Sequence, residues 1–153
     1  MADVEFNPEL VVMLDGVKTY QEAERVMADH LVKLGYAKDT YPEAIRLREV
    51  DYPTGLDVEG INAAMPHCDV ANVNSAAVCV GVLKQPVDWR RMDDPDSTCP
   101  VSLVTMLALT EAHAHLDMLQ KVVALIQDQD LMAQIVAAPN AKAVYDLVGA
   151  KLA

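Results

Sequence analysis

The stretch SAAVCVGVL, residues 75–83, is apolar almost without interruption. A strand with one solvated face alternates apolar and polar residues, so a continuous apolar run of this length is typical of a strand buried on both faces. The run VSLVTMLAL, residues 101–109, repeats the signature. Between the two runs, several prolines and the acidic residues Asp93–Asp96 predict an exposed, solvated loop from Pro86 to Pro100. The two strands are therefore the expected centre of a sheet.

The residues before this centre predict one strand and two helices. The short apolar run LVVML, residues 10–14, reads as a first strand. The capping box Thr19-x-x-Glu22 opens an amphipathic helix, which Gly35 ends. A second box, Thr40-x-x-Glu43, opens a shorter helix.

The remaining elements complete an α/β pattern. Residues 55–64 allow a short strand on either side of Gly60. From Thr110 onward the apolar period is 3.6, which predicts helices from Thr110 to Gln127, from Asp128 or Asp130 to Ala138, and from Asn140 to Leu152. We therefore predict a single α/β domain over residues 1–153, with a mixed, mainly parallel sheet, helices on both of its faces and helices at the C-terminus.

The composition indicates which classes of partner and which cellular compartment to expect. Hydrophobic residues make up 52% of the 153 residues and aromatic residues only 5%, which predicts a mostly aliphatic core. The net charge of −11 disfavours nucleic acid and anionic membrane surfaces as partners. The longest apolar run, residues 76–83, is too short to insert into a membrane, and the start MADVEF lacks the parts of a secretion signal. Three cysteines without CxxC spacing indicate reduced thiols, so we predict a cytoplasmic protein.

His67 is presented by the segment PTGLDVEGINAAMPHCD, residues 53–69. Pro66 fixes its own φ and biases Met65 toward extended geometry, so His67 is expected on a rigid turn. Such a turn can present a reactive imidazole; spacing alone favours the other interpretation, a half-exposed surface histidine where Pro66 ends a strand. Neighbours in extended chain point to opposite sides, so we expect Cys68 to pack into the core rather than to act as a nucleophile beside His67.

No cofactor or metal site is predicted. The six glycines form neither GxGxxG nor GxxxxGK[ST], and neither GxSxG nor HExxH occurs. Zinc could in principle gather His67, Cys68, His113 and His115, but no ligand spacing unites these four residues.

Periodicity separates His113 from His115. His115 shares the inward face of its helix with Leu119 and Val122, whereas His113 falls on the more polar face. A neutral His115 near a helix N-terminus suits either a site for a phosphoryl oxygen or a core histidine bonded to a backbone carbonyl. Arg48, on a short helix, either lays its stem on the core or holds a phosphoryl group through a fork of hydrogen bonds.

Five segments of the chain resemble a known family in their order and in the intervals between them. They are residues 41–49 ending in Arg48-Glu49, Pro53-Thr54-Gly55, Met65-Pro66-His67, Leu83 to Trp89 (LKQPVDW), and His115-Leu116 at a helix start. Together they resemble the enzyme IIA component (EIIA) of the sugar phosphotransferase system (PTS), in the fructose–mannitol superfamily and most closely its galactitol-specific branch.

The resemblance implies a phosphocarrier in sugar uptake that needs no cofactor. His67 would accept a phosphoryl group from the phosphohistidine of HPr and pass it to a cysteine of a IIB component, which serves the membrane component IIC. Arg48 matches the family's phosphate-facing arginine, and His115 matches its second active-site histidine. The family fold is a mixed sheet with helices on both faces.

The chemistry of imidazole agrees with this role. Neutral imidazole is nucleophilic and predominates at cytosolic pH, so His67 would need no partner base. It would need a fixed tautomer, which a backbone carbonyl can set, and cationic or N–H groups around the transferring phosphoryl group. Two alternatives remain: a regulatory domain that is phosphorylated on His67 and acts by binding a partner, and a metal-dependent enzyme.

Overall fold

The computed structural model describes residues 4–111 and 116–152. Its strands are β1 (Val11–Met13), β2 (Gly55–Leu56), β3 (Asn62–Ala64), β4 (Ala77–Arg90) and β5 (Thr98–Ala108). Its α-helices are α1 (Tyr20–Lys33), α2 (Tyr41–Asp51), α3 (Leu116–Gln127), α4 (Gln129–Ala137) and α5 (Ala141–Leu152), and short 3₁₀ turns lie at Pro8–Leu10 and Val70–Asn72.

One mixed sheet joins the strands in the order β1-β4-β5-β3-β2. β1 pairs with β4 and β3 with β5 in parallel, whereas β2 with β3 and β4 with β5 are antiparallel. The predicted α/β fold with a mixed sheet is confirmed. Parallel pairs do not predominate among the described strands, because the longest pairing, β4 with β5, is antiparallel. A strand buried on both faces gives the same apolar run in either direction, so the sequence pattern does not distinguish the two.

The connection between β4 and β5 is shorter than predicted. β4 continues to Arg90 and β5 starts at Thr98, so Pro86 and Pro100 lie inside strands rather than in a loop. The ladder shifts register between Val82 and Val87, which accommodates the proline that cannot donate a hydrogen bond there. The acidic run at residues 93–96 is exposed, as expected.

Two buried clusters cover the two faces of the sheet. Side chains alternate along β4, so Cys79 enters the cluster under α1 and α2, and Val78 and Val80 enter the cluster under α3, α4 and α5. This alternation explains the apolar run of residues 75–83, because both faces of β4 meet a helical layer.

Three of the predicted helix caps are present. Thr19, Asp128 and Asn140 accept backbone N–H bonds from residues three positions later, at 3.2, 3.1 and 2.9 Å. Thr40 makes no side-chain cap bond, which corrects the second predicted capping box; its backbone is already helical, at φ −78° and ψ −13°. Within the described ranges, no helix combines the length and the apolar character that crossing a bilayer requires.

Gly55 lies where β2 approaches the end of β4, and it has no room for a side chain. A Cβ atom there would lie 2.5 Å from the Arg90 carbonyl oxygen, a backbone atom that cannot turn away. We predict that Gly55→Ala lowers the free energy of unfolding by about 1–3 kcal/mol, measured by denaturant titration.

Gly149 provides the matched control. Its added Cβ would meet nothing closer than 3.8 Å, and in a helix interior alanine is favoured over glycine by about 0.5–1 kcal/mol. Gly149→Ala is therefore expected to leave stability unchanged or to raise it. Equal unfolding free energies for the two variants would contradict the close approach at Gly55.

Candidate functional site

The turn that carries His67 is held from both sides. It follows β3, and the Met65 N–H donates to the Thr54 carbonyl oxygen at 3.3 Å. The Leu107 N–H, near the end of β5, donates to the Pro66 carbonyl oxygen at 2.9 Å. Backbone bonds to two separate segments thus fix the turn that Pro66 begins, and His67 lies half-buried at its end.

The imidazole of His67 has a defined tautomer. Its Nδ1 lies 2.9 Å from the Met65 carbonyl oxygen. A carbonyl oxygen can only accept, so we assign the proton to Nδ1 from this contact, and Nε2 keeps its lone pair. In the neutral ring Nε2 is therefore the nucleophilic nitrogen, and a backbone carbonyl holds the imidazole in place.

Arg48 lies near this turn, in the last full turn of α2. Its side chain is exposed, and its guanidinium carbon stands 5.0 Å from the centre of the Tyr52 ring. Burial raises the pKa of Cys68, the residue after His67, and the charge of Arg48 is a minor influence in the opposite direction. The end of α2 that carries Arg48 is bonded through Glu49 to Thr54, whose carbonyl oxygen holds Met65 of the His67 turn. The exposed guanidinium is accessible to an anion.

Cys68 is the half-buried neighbour of His67 and packs against the cluster under α1 and α2. Burial raises the pKa of its thiol to about 11, an effect that the Asn72 amide, 3.8 Å from Sγ, opposes only in part. Because the thiolate is the reactive form, this thiol is a poor nucleophile near neutral pH. The predicted packing role of Cys68 agrees with its surroundings.

The predicted site residue His115 and its neighbour His113 lie outside the described residues. The described part of α3 begins at Leu116, directly after them. Across residues 4–111 and 116–152, no three His, Cys, Asp or Glu side chains are grouped so that they could hold a metal ion.

Sequence reasoning did not single out two buried carboxyl groups beside the site. Glu49 follows Arg48 and is 2% exposed, and Glu24 of α1 is 3% exposed. Glu24 shares its helix face with the buried residues Ala28 and Leu31, at spacings of four and seven. The sequence could have indicated Glu24 through its position within the apolar stripe of α1, because carboxyl groups are rarely buried without a partner.

A sequence model of the family described as "Phosphoenolpyruvate-dependent sugar phosphotransferase system, EIIA 2" matches residues 5–151. The galactitol-specific EIIA component of the PTS in Escherichia coli K12 is 27% identical over 114 residues, which are 74% of this chain and 75% of that protein. The nitrogen regulatory protein of Pseudomonas aeruginosa is 32% identical over 91 residues, which are 58% of this chain and 56% of that protein.

A solved structure has the same fold. The complex of enzyme IIAMTL and phosphorylated enzyme IIBMTL from Escherichia coli matches with a TM-score of 0.78 and 21% sequence identity, covering 97% of this chain and 99% of the matched chain. At this identity the likeness establishes the architecture.

The two described histidines are predicted to carry their protons on opposite nitrogens. His67 has Nδ1 against a carbonyl oxygen, whereas His30 has Nε2 2.6 Å from the Glu9 carbonyl oxygen. We expect long-range ¹H–¹⁵N spectra above the imidazole titration range to show an Nδ1–H tautomer for His67 and an Nε2–H tautomer for His30. The His67→Gln spectrum assigns the signals, and an Nε2–H tautomer at His67 would contradict the Met65 contact.

Proposed function

The chain belongs to the EIIA 2 family of the phosphoenolpyruvate-dependent sugar phosphotransferase system, and on that premise we propose that it is a phosphocarrier whose acceptor atom is Nε2 of His67. The observation that carries the proposal is the Nδ1 contact with the Met65 carbonyl oxygen, which leaves Nε2 with a free lone pair. The missing nucleotide motifs agree with a phosphoryl donor that is another protein.

The transfer step needs no external base. Nε2 of His67 attacks the phosphorus of the phosphohistidine on HPr; the N–P bond to the donor breaks, and the donor imidazole keeps the electron pair. The proton stays on Nδ1 throughout and is donated to the Met65 carbonyl oxygen. In the second step a cysteine thiolate of the IIB component attacks the same phosphorus. The Nε2–P bond breaks, the electron pair returns to Nε2, and His67 is again a neutral imidazole.

Arg48 is the proposed cationic group for the transferred phosphoryl group. In a loose transition state the charge spreads over three equatorial oxygens, so a guanidinium with free donors stabilises it. Arg48 is exposed and its charge reaches Cys68, beside the acceptor. We include His115 as the second site histidine on the family pattern.

The proposed partners are HPr, a IIB component and, through it, the membrane component IIC. The matched mannitol structure is a complex with a phosphorylated IIB, which supports the IIB partner. The galactitol-specific relative supports a hexitol system such as that of galactitol. We further propose that residues 1–153 act as one cytoplasmic domain.

A regulatory role is the second candidate. The nitrogen regulatory relative favours it, since a similar sequence serves there under a regulatory name. In this role His67 is phosphorylated, but the phosphoryl group is not passed on. Incubation with phosphorylated HPr and a galactitol-type IIB separates the two: label on the IIB cysteine supports the carrier, and label that stops on His67 supports the regulator.

His67→Ala is expected to abolish uptake of phosphate from phosphorylated HPr, because it removes the nucleophilic nitrogen. The measurement is phosphate incorporation by intact-protein mass spectrometry under conditions that preserve phosphohistidine. His30→Ala, which removes a histidine that instead bonds the Glu9 carbonyl oxygen, should incorporate phosphate as the wild type does. A His67→Ala protein that still gained the phosphate mass would refute the assignment.

Arg48→Gln is expected to slow phosphoryl acceptance about 100-fold, the scale of losing one charge-stabilising donor. Because Arg48 is exposed, the unfolding free energy should change by less than about 0.5 kcal/mol.

Arg46→Gln is the matched control, an exposed arginine two residues earlier on the same helix that pairs with Glu43. Its rate should stay at the wild-type value. Equal rates for both arginine variants in stopped-flow or quenched-flow assays would remove Arg48 from the site. His115→Ala should likewise slow transfer, with the fold retained.

A further inference from the structure

The carboxylate of Glu49 gathers three hydrogen-bond donors in the interior. Oε2 accepts from the Thr54 N–H at 2.6 Å and from the Trp89 indole N–H at 3.1 Å, and Oε1 accepts from the Thr54 hydroxyl at 2.8 Å. Thr54 and Trp89 are themselves buried, at 2% and 0% exposure. Both oxygens of this carboxylate are therefore occupied as hydrogen-bond acceptors.

These bonds tie together the two residues of the proposed site. Glu49 is the chain neighbour of Arg48, so its anchor fixes the backbone from which the guanidinium extends. On the other side, the carbonyl oxygen of Thr54 receives the Met65 N–H, and the Met65 carbonyl oxygen receives Nδ1 of His67. A continuous series of contacts thus runs from Glu49 to the imidazole.

Further hydrogen bonds hold both ends of α2. The Arg90 guanidinium donates to the Val50 carbonyl oxygen at 2.8 Å, at the C-terminal end of the helix. At the other end, the Tyr41 hydroxyl donates to the Leu107 carbonyl oxygen at 2.8 Å, and the Leu107 N–H holds Pro66. The contacts of Glu49 reach Thr54 directly and so link the end of α2 to the residue that holds Met65.

Glu24 brings a second carboxyl group against Glu49. Among the described residues, its Oε2 is buried with no donor facing it. Two carboxylates cannot both stay ionised side by side in the interior, so one keeps its proton. Glu49 already has three donors and Glu24 has none, which places the proton on Glu24. Burial, and then the hydrogen bond and charge of Glu49, raise the pKa of Glu24 to about 10.

We propose that Glu49 is the positioning residue that sets Arg48 against His67, and that Glu24 donates its carboxyl proton to Glu49 as a fourth hydrogen bond. The inference rests on the proposed phosphocarrier function and adds to it two buried residues that touch neither the phosphoryl group nor a partner. The orphan oxygen of Glu24 is then a donor, and all the buried oxygens of the pair have partners.

The ionisable surroundings of Glu24 come from two helices. Glu49 and the Tyr41 hydroxyl face it from α2. The groove beside it between α1 and α2 is lined by Glu22, Arg25, Glu43 and Arg46. The last four are exposed, so Glu49 is the neighbour that governs the Glu24 proton.

The first test replaces Glu49. Glu49→Gln should lower the maximal rate of phosphoryl acceptance about tenfold to a hundredfold, as misplaced site groups do, while the KM for phosphorylated HPr changes less than about twofold. The Nδ1–H signal of His67 should broaden or shift, since the Thr54 and Met65 segments lose their anchor. Glu43→Gln, an exposed residue on the same helix, should change neither. Wild-type rate and wild-type imidazole signals in a folded Glu49→Gln protein would overturn the positioning role.

The second test replaces Glu24 by two side chains of similar size. Glu24→Gln keeps a donor toward Glu49 and should retain the wild-type rate at pH 7.5, whereas Glu24→Met removes the donor and should slow transfer as Glu49→Gln does. Equal rates for the Gln and Met variants would refute the donated proton. This pair also keeps the inference testable should Glu49→Gln fail to fold.

The pH dependence gives an independent readout. The folded-state pKa of Glu24 lies above its ordinary value of 4.5, so the pair's contribution to stability is fully present below that value and is lost as the pH rises toward about 10. We expect the melting temperature of the wild type to fall relative to that of Glu24→Gln between about pH 5 and pH 10. A constant difference would place the proton elsewhere.

Failure of the inference and failure of the proposed function give different results. A wild-type protein that takes no phosphate from HPr refutes the phosphocarrier, and the His67 spectra and melting curves still decide whether Glu49 and Glu24 act as proposed. A wild-type protein that transfers normally, with an unaffected Glu49→Gln variant, refutes the inference alone.

Discussion

The antiparallel pair of β4 and β5 is the constraint on which the architecture depends. Residues 77–83 and 101–108 are buried along their whole length, so their backbone groups must be bonded within the sheet and both of their faces must be covered. Covering both faces requires two helical layers, α1 with α2 on one side and α3 to α5 on the other. The parallel neighbours β1 and β3 flank this pair, and β2 pairs with the outer side of β3.

The candidate site lies where the chain leaves the sheet at the end of β3. β3 runs parallel to β5, and its chain leaves the sheet at Ala64, opposite Val104, so the next turn can bond the Leu107 backbone further along β5. The helix α2 crosses the same region, because Tyr41 reaches Leu107 and Glu49 reaches Thr54. His67 and Arg48 come from segments about twenty residues apart, and these bonds tie the two segments to each other. The position of the site therefore follows from the sheet, and its precise geometry follows from the buried polar contacts.

The sequence pattern predicted the features that depend on residues close together in the chain. The apolar run at residues 75–83, the Thr19 cap and the tautomer of His67 depend on neighbours in the chain or on one obligatory backbone acceptor. The extent of β4 was not predicted, because Pro86 marks a loop by propensity, whereas the structure absorbs it in a register shift against β5. The pairing of Glu24 with Glu49 was also not predicted. It joins residues 25 positions apart on two helices, and spacing within one helix contains no information about such a contact.

Burying the carboxyl groups of Glu24 and Glu49 costs free energy. The proposed role of the pair in placing Arg48 accounts for this cost. A buried polar cluster is often no more stabilising than apolar side chains of the same volume, so stability alone does not account for Glu24 and Glu49. In the proposed function Arg48 meets a phosphoryl group and so must remain exposed. Within the described residues its guanidinium stacks over Tyr52, a ring that is itself exposed. Side-chain contacts of this kind restrain the direction of the arginine weakly. Its position is therefore set by the backbone at the end of α2, and the bonds of Glu49 fix that backbone relative to the turn of His67.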